Sequence, residues 1–337
     1  MRNMNEGMVE HLVRSVLGDT AALTALDVHA DLLAEADGPV SRAAFAMALA
    51  VLLSDDLLKR VPSGADYARR EGVAGRRILF DHGALRTILF ADGQTGALPA
   101  GQLAFARILE PLGYRKANTY PLPRLKMTGH AYAHADLPEA IPQYFVSELH
   151  VDRFDADFAE AALRVFGSSR DPLGQVEQAL LSAMAQASEA PLALALAALP
   201  GIAAAFARQH GPVALSDYET LLAQSAEAGW IATEGNSFNH VTDRVAHVES
   251  LADSLRAEGF PIKDRVEVAR EGRVRQTALK ADMVERRFTT AEGEISRRVP
   301  GSFYEFISRE IDPATGCIDL SFDSSNATGI FAMTRAA

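Results

Sequence analysis

The sequence has 337 residues, of which 48% are hydrophobic and 23% are charged, the balance of a globular protein that can bury a sizeable core. Its formal net charge of −11 argues against nucleic acid or an anionic membrane surface as a partner, because binding phosphate needs a surplus of Lys and Arg. The longest apolar stretch, residues 191–206, is broken by Pro200 and Gly201 and is too short to span a bilayer, so we expect a soluble protein.

The chain divides into four predicted segments that alternate between helix and strand. Residues 1–70 are predicted to form an N-terminal helical cap, in which Ser41 is suited to cap the helix SRAAFAMALAVLLSDDLL. Residues 71–155 form a first β-rich module, with candidate strands RRILFDHGALRTILF, LKMTGHAYAHA and PQYFVSELHV. Residues 156–232 form a helical insert rich in Ala and Leu. Residues 233–337 form a second β-rich module, with SFNHVTDRV, RVRQTALKA, MVERRFTT, EISRRV and GSFYEFISREI, and we expect the four segments to make one compact unit.

The two β-rich modules are similar to each other in layout. Each opens with a strand that carries a histidine, continues with a helix and later reaches an aromatic strand. Aligning FVS at residues 145–147 with FIS at residues 306–308 places Tyr144 opposite Glu305. This internal repeat predicts two βα modules paired around one sheet-lined cavity.

Each of the two opening strands carries a histidine and an arginine four residues apart. His82 and Arg86 share a face of the strand DHGALRT, and His240 and Arg244 repeat the spacing in SFNHVTDRV. An imidazole and a guanidinium on one face suit a metal and an anion bound to it, although a surface strand with an ordinary His fits the same pattern. Glu305 lies between aromatic residues, where burial is costly unless a metal or an Arg pairs with the carboxylate.

The single cysteine, Cys317, excludes an internal disulfide and a thiolate cluster, so any metal must be held by His and carboxylate groups. A lone thiol and an N-terminus without an apolar signal core favour the cytoplasm. Two His and one carboxylate are the ligands expected of non-haem Fe(II) oxygenases. With nine His in the chain, however, the residues alone leave the ligand set open.

Two further features offer candidate polar groups. His130 and His134 in GHAYAHAD share a strand face, but the segment lacks the Glu of the HExxH zinc motif, so a lining or supporting role is expected. Gln276, in RVRQTALKA, has an amide that could donate to a substrate oxygen, and a solvated strand position explains it equally well.

Five motifs occur in the order FNHVTDRV, GFPIKDRVE, RQTALKA, VPGSFYEFISR and ATGIFAMT. Together they resemble the family once called domain of unknown function 1338, which includes the 2-oxoadipate dioxygenase/decarboxylase, or hydroxyglutarate synthase. The resemblance covers the first β-rich module and nearly everything after residue 236, and it is loose in the helical segments. It implies an α+β fold of the vicinal-oxygen-chelate type, in which paired βαβββ modules form a sheet-lined metal cavity and helical segments are added.

The resemblance also implies roles for individual residues. His82, His240 and Glu305 correspond to the metal ligands, and Arg86 and Gln276 to substrate-binding residues. A small-residue loop near the C-terminus corresponds less closely, and its members are Ser324, Ser325 and Asn326.

The implied activity is Fe(II)-dependent oxidative decarboxylation of a small 2-oxo acid by O2. For the family this is the conversion of 2-oxoadipate to 2-hydroxyglutarate and CO2, in lysine catabolism, by a monomer or homodimer. The chain is shorter than is typical of these enzymes, which leaves the identity of the acid open. Two alternatives use the same scaffold: a glyoxalase-type metal-dependent lyase or isomerase, and a non-catalytic small-molecule binding protein.

Overall fold

The computed structural model describes residues 7–34 and 37–322. The strands are β1 (Val40–Ser41), β2 (Phe80–Leu89), β3 (Tyr114–Leu122), β4 (Met127–His134), β5 (Gln143–His150), β6 (Glu189–Ala190), β7 (His240–Arg244), β8 (Glu267–Val268), β9 (Val274–Ala278), β10 (Met283–Thr290), β11 (Gly293–Pro300) and β12 (Phe303–Arg309). The helices are α1 (Met8–Leu17), α2 (Ala21–Thr24), α3 (Ala30–Ala34), α4 (Arg42–Arg60), α5 (Pro62–Val73), α6 (Leu103–Leu109), α7 (Ala156–Phe166), α8 (Gln175–Ala187), α9 (Leu192–Ala204), α10 (Leu215–Gln224), α11 (Ala226–Glu234) and α12 (Val248–Ala257).

The central feature is a curled eight-stranded sheet with the order β3-β4-β5-β2-β7-β12-β9-β8. Strands β2 and β5 are parallel, as are β7 and β12, and the two halves join through the antiparallel pair β2–β7. Each half runs β-α-β-β-β along the chain, with the hairpin β10–β11 inserted in the second half. The predicted α+β fold with paired βαβββ modules is therefore confirmed. The helices before β2 and between the halves follow the predicted order of segments, whose boundaries stay predictions.

The strand register corrects the predicted alignment of the two modules. In β5 the residue opposite the first module's histidine is Gln143, and in β12 the residue opposite the second module's histidine is Phe303. Two residues further along each strand lie Phe145 and Glu305, which are therefore the equivalent pair. The predicted match of Tyr144 with Glu305 is wrong by one residue. Because side chains alternate along a strand, that slip would exchange the two faces of the sheet.

The two faces of the sheet are buried by different layers. One face packs on the helices of the larger core through apolar strand residues that include Leu85, Val146, Val241 and Phe306. The opposite face, the polar face of the sheet, carries buried polar side chains in its middle, and part of it is covered by a second core built from α7, α10, α11 and the hairpin β10–β11. Among the described residues, no helix combines the length and the apolar character that a bilayer crossing needs.

The ends of several helices follow local sequence signals. The Ser41 hydroxyl accepts a hydrogen bond from the Ala44 N–H at 3.1 Å, so the predicted cap of α4 is confirmed. Asp155 caps α7 in the same way through the Phe158 N–H at 2.9 Å. Gly259, with a φ of +86°, follows α12 in the left-handed conformation that terminates helices.

Gly83 lies at the junction of the two modules, where it pairs with Val241 across β2 and β7. A Cβ at this position would overlap the Phe238 ring, which packs in the larger core. We expect Gly83→Ala to lower the free energy of unfolding by about 1–3 kcal/mol through overpacking, as measured by urea denaturation. Gly72→Ala, in an open position on α5, is the control and should stabilise by about 0.5–1 kcal/mol. An unchanged urea midpoint for Gly83→Ala would contradict this account of the junction.

Candidate metal centre

The side chains of His82, His240 and Glu305, from three different strands, meet on the polar face of the sheet. Thr242 is the register partner of both His82 and Glu305, so the side chains of His82, Thr242 and Glu305 lie side by side across β2, β7 and β12. The Glu305 Oε2 atom lies 2.9 Å from Nε2 of His240 and 3.6 Å from Nε2 of His82. The Thr242 hydroxyl donates to the same Oε2 atom at 2.9 Å. One ligand atom from each of His82, His240 and Glu305 lies within 4.8 Å of the others, close enough for one metal ion to bind all three.

The chemistry of this donor set fits a divalent metal ion. Cis ligands at about 2.0–2.2 Å from a metal lie roughly 3 Å apart, close to the separations seen here. Burial lowers the pKa of His240, against the attraction of Glu305, so the imidazole is held in its neutral form. Burial would raise the pKa of Glu305, but His240, His82 and the Thr242 hydrogen bond hold it below its usual range. Among the described residues, Glu305 Oε1 and His240 Nδ1 have no hydrogen-bond partner, so the carboxylate keeps acceptor capacity for an ion.

Asp81 forms a hydrogen bond with Nδ1 of His82, the ring nitrogen that does not face Glu305. The register between β2 and β7 shifts between Phe80 and His82, so Asp81 is the extra residue of a β-bulge, a feature that re-aims side chains near functional sites. Its Oδ1 atom lies 2.7 Å from His82 Nδ1. Arg244 Nε donates to Oδ2 at 2.6 Å, and Arg309 donates to both oxygens at 2.9–3.1 Å. Burial would raise the pKa of Asp81, but Arg309, the His82 bond and Arg244 hold it well below its usual range.

Aromatic rings surround the three donors. Phe303 lies 4.8 Å from the His240 ring, measured between centroids, and Phe322 lies 4.8 Å from the His82 ring. Phe145, the equivalent of Glu305 in the first module, is 5.1 Å from Phe322. These rings reduce the access of water, which strengthens electrostatic interactions at the centre.

Arg86 lies on the same face of β2 as His82 and is fully buried. Its guanidinium is 5.0 Å from the centre of the Trp230 ring, a cation–π arrangement with α11. Burial lowers the pKa of Arg86 to about 10, with an opposing contribution from Glu227. The side chain therefore remains charged at neutral pH, as the recognition of a carboxylate requires.

The other predicted site residues are less closely associated with the centre. Gln276 lies on the polar face of β9, two residues before Ala278, the register partner of Glu305. Its amide donates to Glu267 Oε2 at 3.4 Å. The residues predicted to contact substrate near the C-terminus lie outside the described part of the chain: Ser324, Ser325 and Asn326.

His130 and His134 lie away from the three donors. His130 is opposite Val146 on the other face of the sheet, and its Nε2 atom lies 3.0 Å from Glu148 Oε1. His134 Nε2 donates to the Leu112 carbonyl at 3.1 Å, and its Nδ1 accepts from two backbone N–H groups of the turn after β4. Both histidines therefore have local structural partners and do not join the three donors.

Sequence reasoning missed several residues at the centre. Thr242 could have been found, because it lies two residues after His240 and therefore on the same strand face. Asp81 precedes His82 and would face away from it in a regular strand, so only the bulge reveals its role. Trp230 and Glu227 reach Arg86 from α11, and no local pattern predicts that packing.

Comparisons with known proteins agree with this fold. A family model described as 2-oxoadipate dioxygenase/decarboxylase matches residues 46–315. The chloroplastic 2-oxoadipate dioxygenase/decarboxylase of Arabidopsis thaliana is 24% identical over 265 residues, which are 72% of this chain and 61% of that protein. The chain thus spans about three fifths of the length of the curated relative that it matches.

Solved structures share the fold. A glyoxalase superfamily protein from Ralstonia eutropha JMP134 is 46% identical, with a TM-score of 0.88 over 94% of this chain and 98% of that one. The hydroxyglutarate synthase of Oryza sativa, solved with 2-oxoadipate, is 19% identical, with a TM-score of 0.68 over 88% of this chain and 96% of that one. The Pseudomonas putida enzyme of the same name, also solved with 2-oxoadipate, is 18% identical, with a TM-score of 0.62 over 89% of this chain and 74% of that one.

Removing one of the three converging donors should abolish tight metal binding. We expect Glu305→Ala and His240→Ala to weaken binding of Fe(II) and Co²⁺ by roughly 100-fold or more, beyond the loss typical of supporting residues. Anaerobic equilibrium dialysis with elemental analysis measures this. The control is the partly buried His130–Glu148 pair of the same sheet, where Glu148→Ala should retain full metal stoichiometry. Full occupancy in both Glu305→Ala and His240→Ala would rule out the site.

Proposed function

Because the chain belongs to the 2-oxoadipate dioxygenase/decarboxylase family, we propose that it is a non-haem, Fe(II)-dependent dioxygenase that decarboxylates 2-oxoadipate. One molecule of the acid and one of O2 give one of 2-hydroxyglutarate and one of CO2, so atoms and electrons balance without a further reductant. The observation that carries the proposal is the convergence of His82, His240 and Glu305 on one sheet face that also carries buried Arg86.

The two imidazoles and the carboxylate would hold the metal. Two His and one carboxylate, with coordination positions left open, form the ligand set of non-haem Fe(II) oxygenases. Fe(II), when bound, supplies the redox chemistry that couples loss of CO2 to the reduction of O2. Phe145 has the place in the first module that Glu305 has in the second, and a phenyl ring donates no ligand. The module repeat therefore yields three donors, which leaves room for the substrate.

Arg86 would bind a carboxylate of the substrate. Four residues of strand place its Cα about 13 Å from that of His82, so the two side chains can approach opposite ends of a small diacid. The guanidinium fork matches a carboxylate in geometry, and the Trp230 ring limits its orientation. A substrate with a second carboxylate beyond the 2-oxo acid group fits this separation, which supports 2-oxoadipate over a short monocarboxylic 2-oxo acid.

The aromatic rings would protect the reaction from water. The rings of Phe303, Phe145 and Phe322 lie on the same side of the sheet as the donors. Phe322 follows residues 319–321, whose backbone is held by two side chains. Arg309 donates to the Asp319 and Ser321 carbonyls at 2.8 Å, and Gln143 donates to the Leu320 carbonyl at 3.2 Å. An enclosed site favours reaction with O2 at the substrate over unproductive oxidation in solvent.

One alternative has a specific observation in its favour. The solved relative that is 46% identical to the chain is described as a glyoxalase superfamily protein, a description compatible with a metal-dependent lyase or isomerase. Such an enzyme would use the same three ligands and consume no O2. The place of the reaction in lysine catabolism, the cytoplasmic location and the monomer or homodimer state stay predictions.

The experiment that tests the function is O2 uptake after anaerobic reconstitution with Fe(II), across 2-oxo acids of four to seven carbons. We expect uptake of one O2 per CO2 released, with 2-oxoadipate preferred because its second carboxylate can reach Arg86. Conversion of an acid without O2 uptake would indicate the lyase or isomerase class. Absence of both uptake and conversion in metal-loaded protein would contradict an enzymatic role.

Arg86 can be tested apart from the metal ligands. We expect Arg86→Ala to keep its metal but to raise the KM for 2-oxoadipate by roughly 10- to 100-fold, since hydrogen bonds to charged groups are worth about 1.5–3 kcal/mol. Steady-state O2 uptake gives KM and kcat. The control is Arg287→Ala, at an exposed position on β10, which should behave as wild type. Wild-type KM in Arg86→Ala would mean that this side chain does not bind the substrate.

A further inference from the structure

The Asp81 carboxylate is enclosed by donors on all sides. It is fully buried, and three groups share its two oxygens: the His82 ring, Arg244 and Arg309. Arg309 is also fully buried and binds the backbone of residues 319–321 with Nη1 while its Nε and Nη2 face Asp81. Two arginines favour the ionised carboxylate, which can only accept hydrogen bonds.

This constraint determines where the His82 proton lies. A carboxylate that only accepts requires the proton on Nδ1, so that Nδ1–H donates to Asp81 at 2.7 Å. The Nε2 atom then carries a lone pair, and that atom faces Thr242 Oγ1 at 3.1 Å and Glu305 Oε2 at 3.6 Å. Thr242 has a single hydroxyl proton, so its donation to Glu305 Oε2 at 2.9 Å leaves the Nε2 lone pair without a donor, and a cation between these atoms would satisfy it. The same hydrogen bond that fixes the tautomer therefore prepares Nε2 to bind a metal.

We propose that Asp81 is a positioning residue for the metal centre, which holds the His82 proton on Nδ1 and keeps the Nε2 lone pair directed towards Glu305. This inference rests on the metal site of the proposed function and extends it to a residue outside the three donors. A metal-ligating histidine usually donates its other ring N–H to such a partner, and loss of that partner typically costs 10–100-fold in metal affinity. The β-bulge is the structural device, because it turns Asp81 towards the ring of its own neighbour.

Asp81→Asn changes the hydrogen-bonding capacity with little change in size. With its oxygen in the place of Oδ2, the amide would accept from the Nε atoms of Arg244 and Arg309, since both arginines can only donate, and Arg309 Nη2 would lose its Oδ1 acceptor. The amide NH2 would then face His82 Nδ1 and favour the tautomer with the proton on Nε2. That tautomer has no lone pair for the metal, as in the wrong-tautomer effect known for the Asp of serine protease triads.

The first measurement is a Co²⁺ titration of the full chain, followed by visible absorption. We expect Asp81→Asn to bind Co²⁺ about 10- to 100-fold more weakly than wild type. The matched control is Asp136→Asn, because Asp136 also accepts two hydrogen bonds from an arginine, Arg42, at 2.6 and 2.7 Å. This control should bind Co²⁺ as wild type does. Folded Asp81→Asn protein with wild-type affinity would overturn the proposal.

The second measurement uses wild-type protein, so it stands even if Asp81→Asn fails to fold. Long-range ¹H–¹⁵N correlation spectra of the metal-free protein, assigned with His82→Gln, report which ring nitrogen carries the proton. We expect Nδ1 of His82 to be protonated and Nε2 to be unprotonated at neutral pH, and a proton on Nε2 would overturn the proposal. Neither measurement involves O2 or a 2-oxo acid. A failure of the proposed dioxygenase reaction would therefore leave both results interpretable.

Discussion

The antiparallel register between β2 and β7 is the constraint on which the candidate site depends. Pairing Gly83 with Val241 places His82 beside Thr242, and Thr242 is in turn the partner of Glu305. Side chains alternate between the two faces along both strands. A register shift of one residue would therefore place one of the two histidines on the opposite face, in the larger core. The Phe238 ring fills the space above Gly83, which links this register to the packing of the other face. The candidate metal centre and the junction of the two modules are therefore one structural feature.

The site concentrates charge that would be costly to bury without partners. The carboxylates of Asp81 and Glu305 and the guanidiniums of Arg86 and Arg309 are all shielded from solvent. Asp81 is compensated within the protein, because two arginines and a histidine share its oxygens. Glu305 is compensated only in part, since its Oε1 atom has no hydrogen-bond partner among the described residues. Asp81 is therefore suited to support the candidate centre, whereas Glu305 remains able to bind an ion.

Much of the fold and part of the site could be predicted from sequence, because they depend on short-range patterns. The four-residue spacing of His82 and Arg86 on a strand predicts one face for both, and the structure has them there. The bulge at Asp81 and the contact of Trp230 with Arg86 depend on distant segments, so no local pattern reveals them. Aligning the similar sequences FVS and FIS gave the wrong correspondence between the two modules, because the register is set by strand pairing and not by the best local sequence match. Strand β3 also escaped prediction, since its YRKANTYPL sequence is mostly exposed and polar.

Anomalous X-ray diffraction at the iron edge, from crystals grown anaerobically with Fe(II), tests directly whether the three donors bind one ion. We expect one strong anomalous peak at about 2.0–2.2 Å from the Nε2 atoms of His82 and His240 and from a carboxylate oxygen of Glu305. A peak at another place in the chain, or none between these three groups at saturating Fe(II), would contradict this expectation.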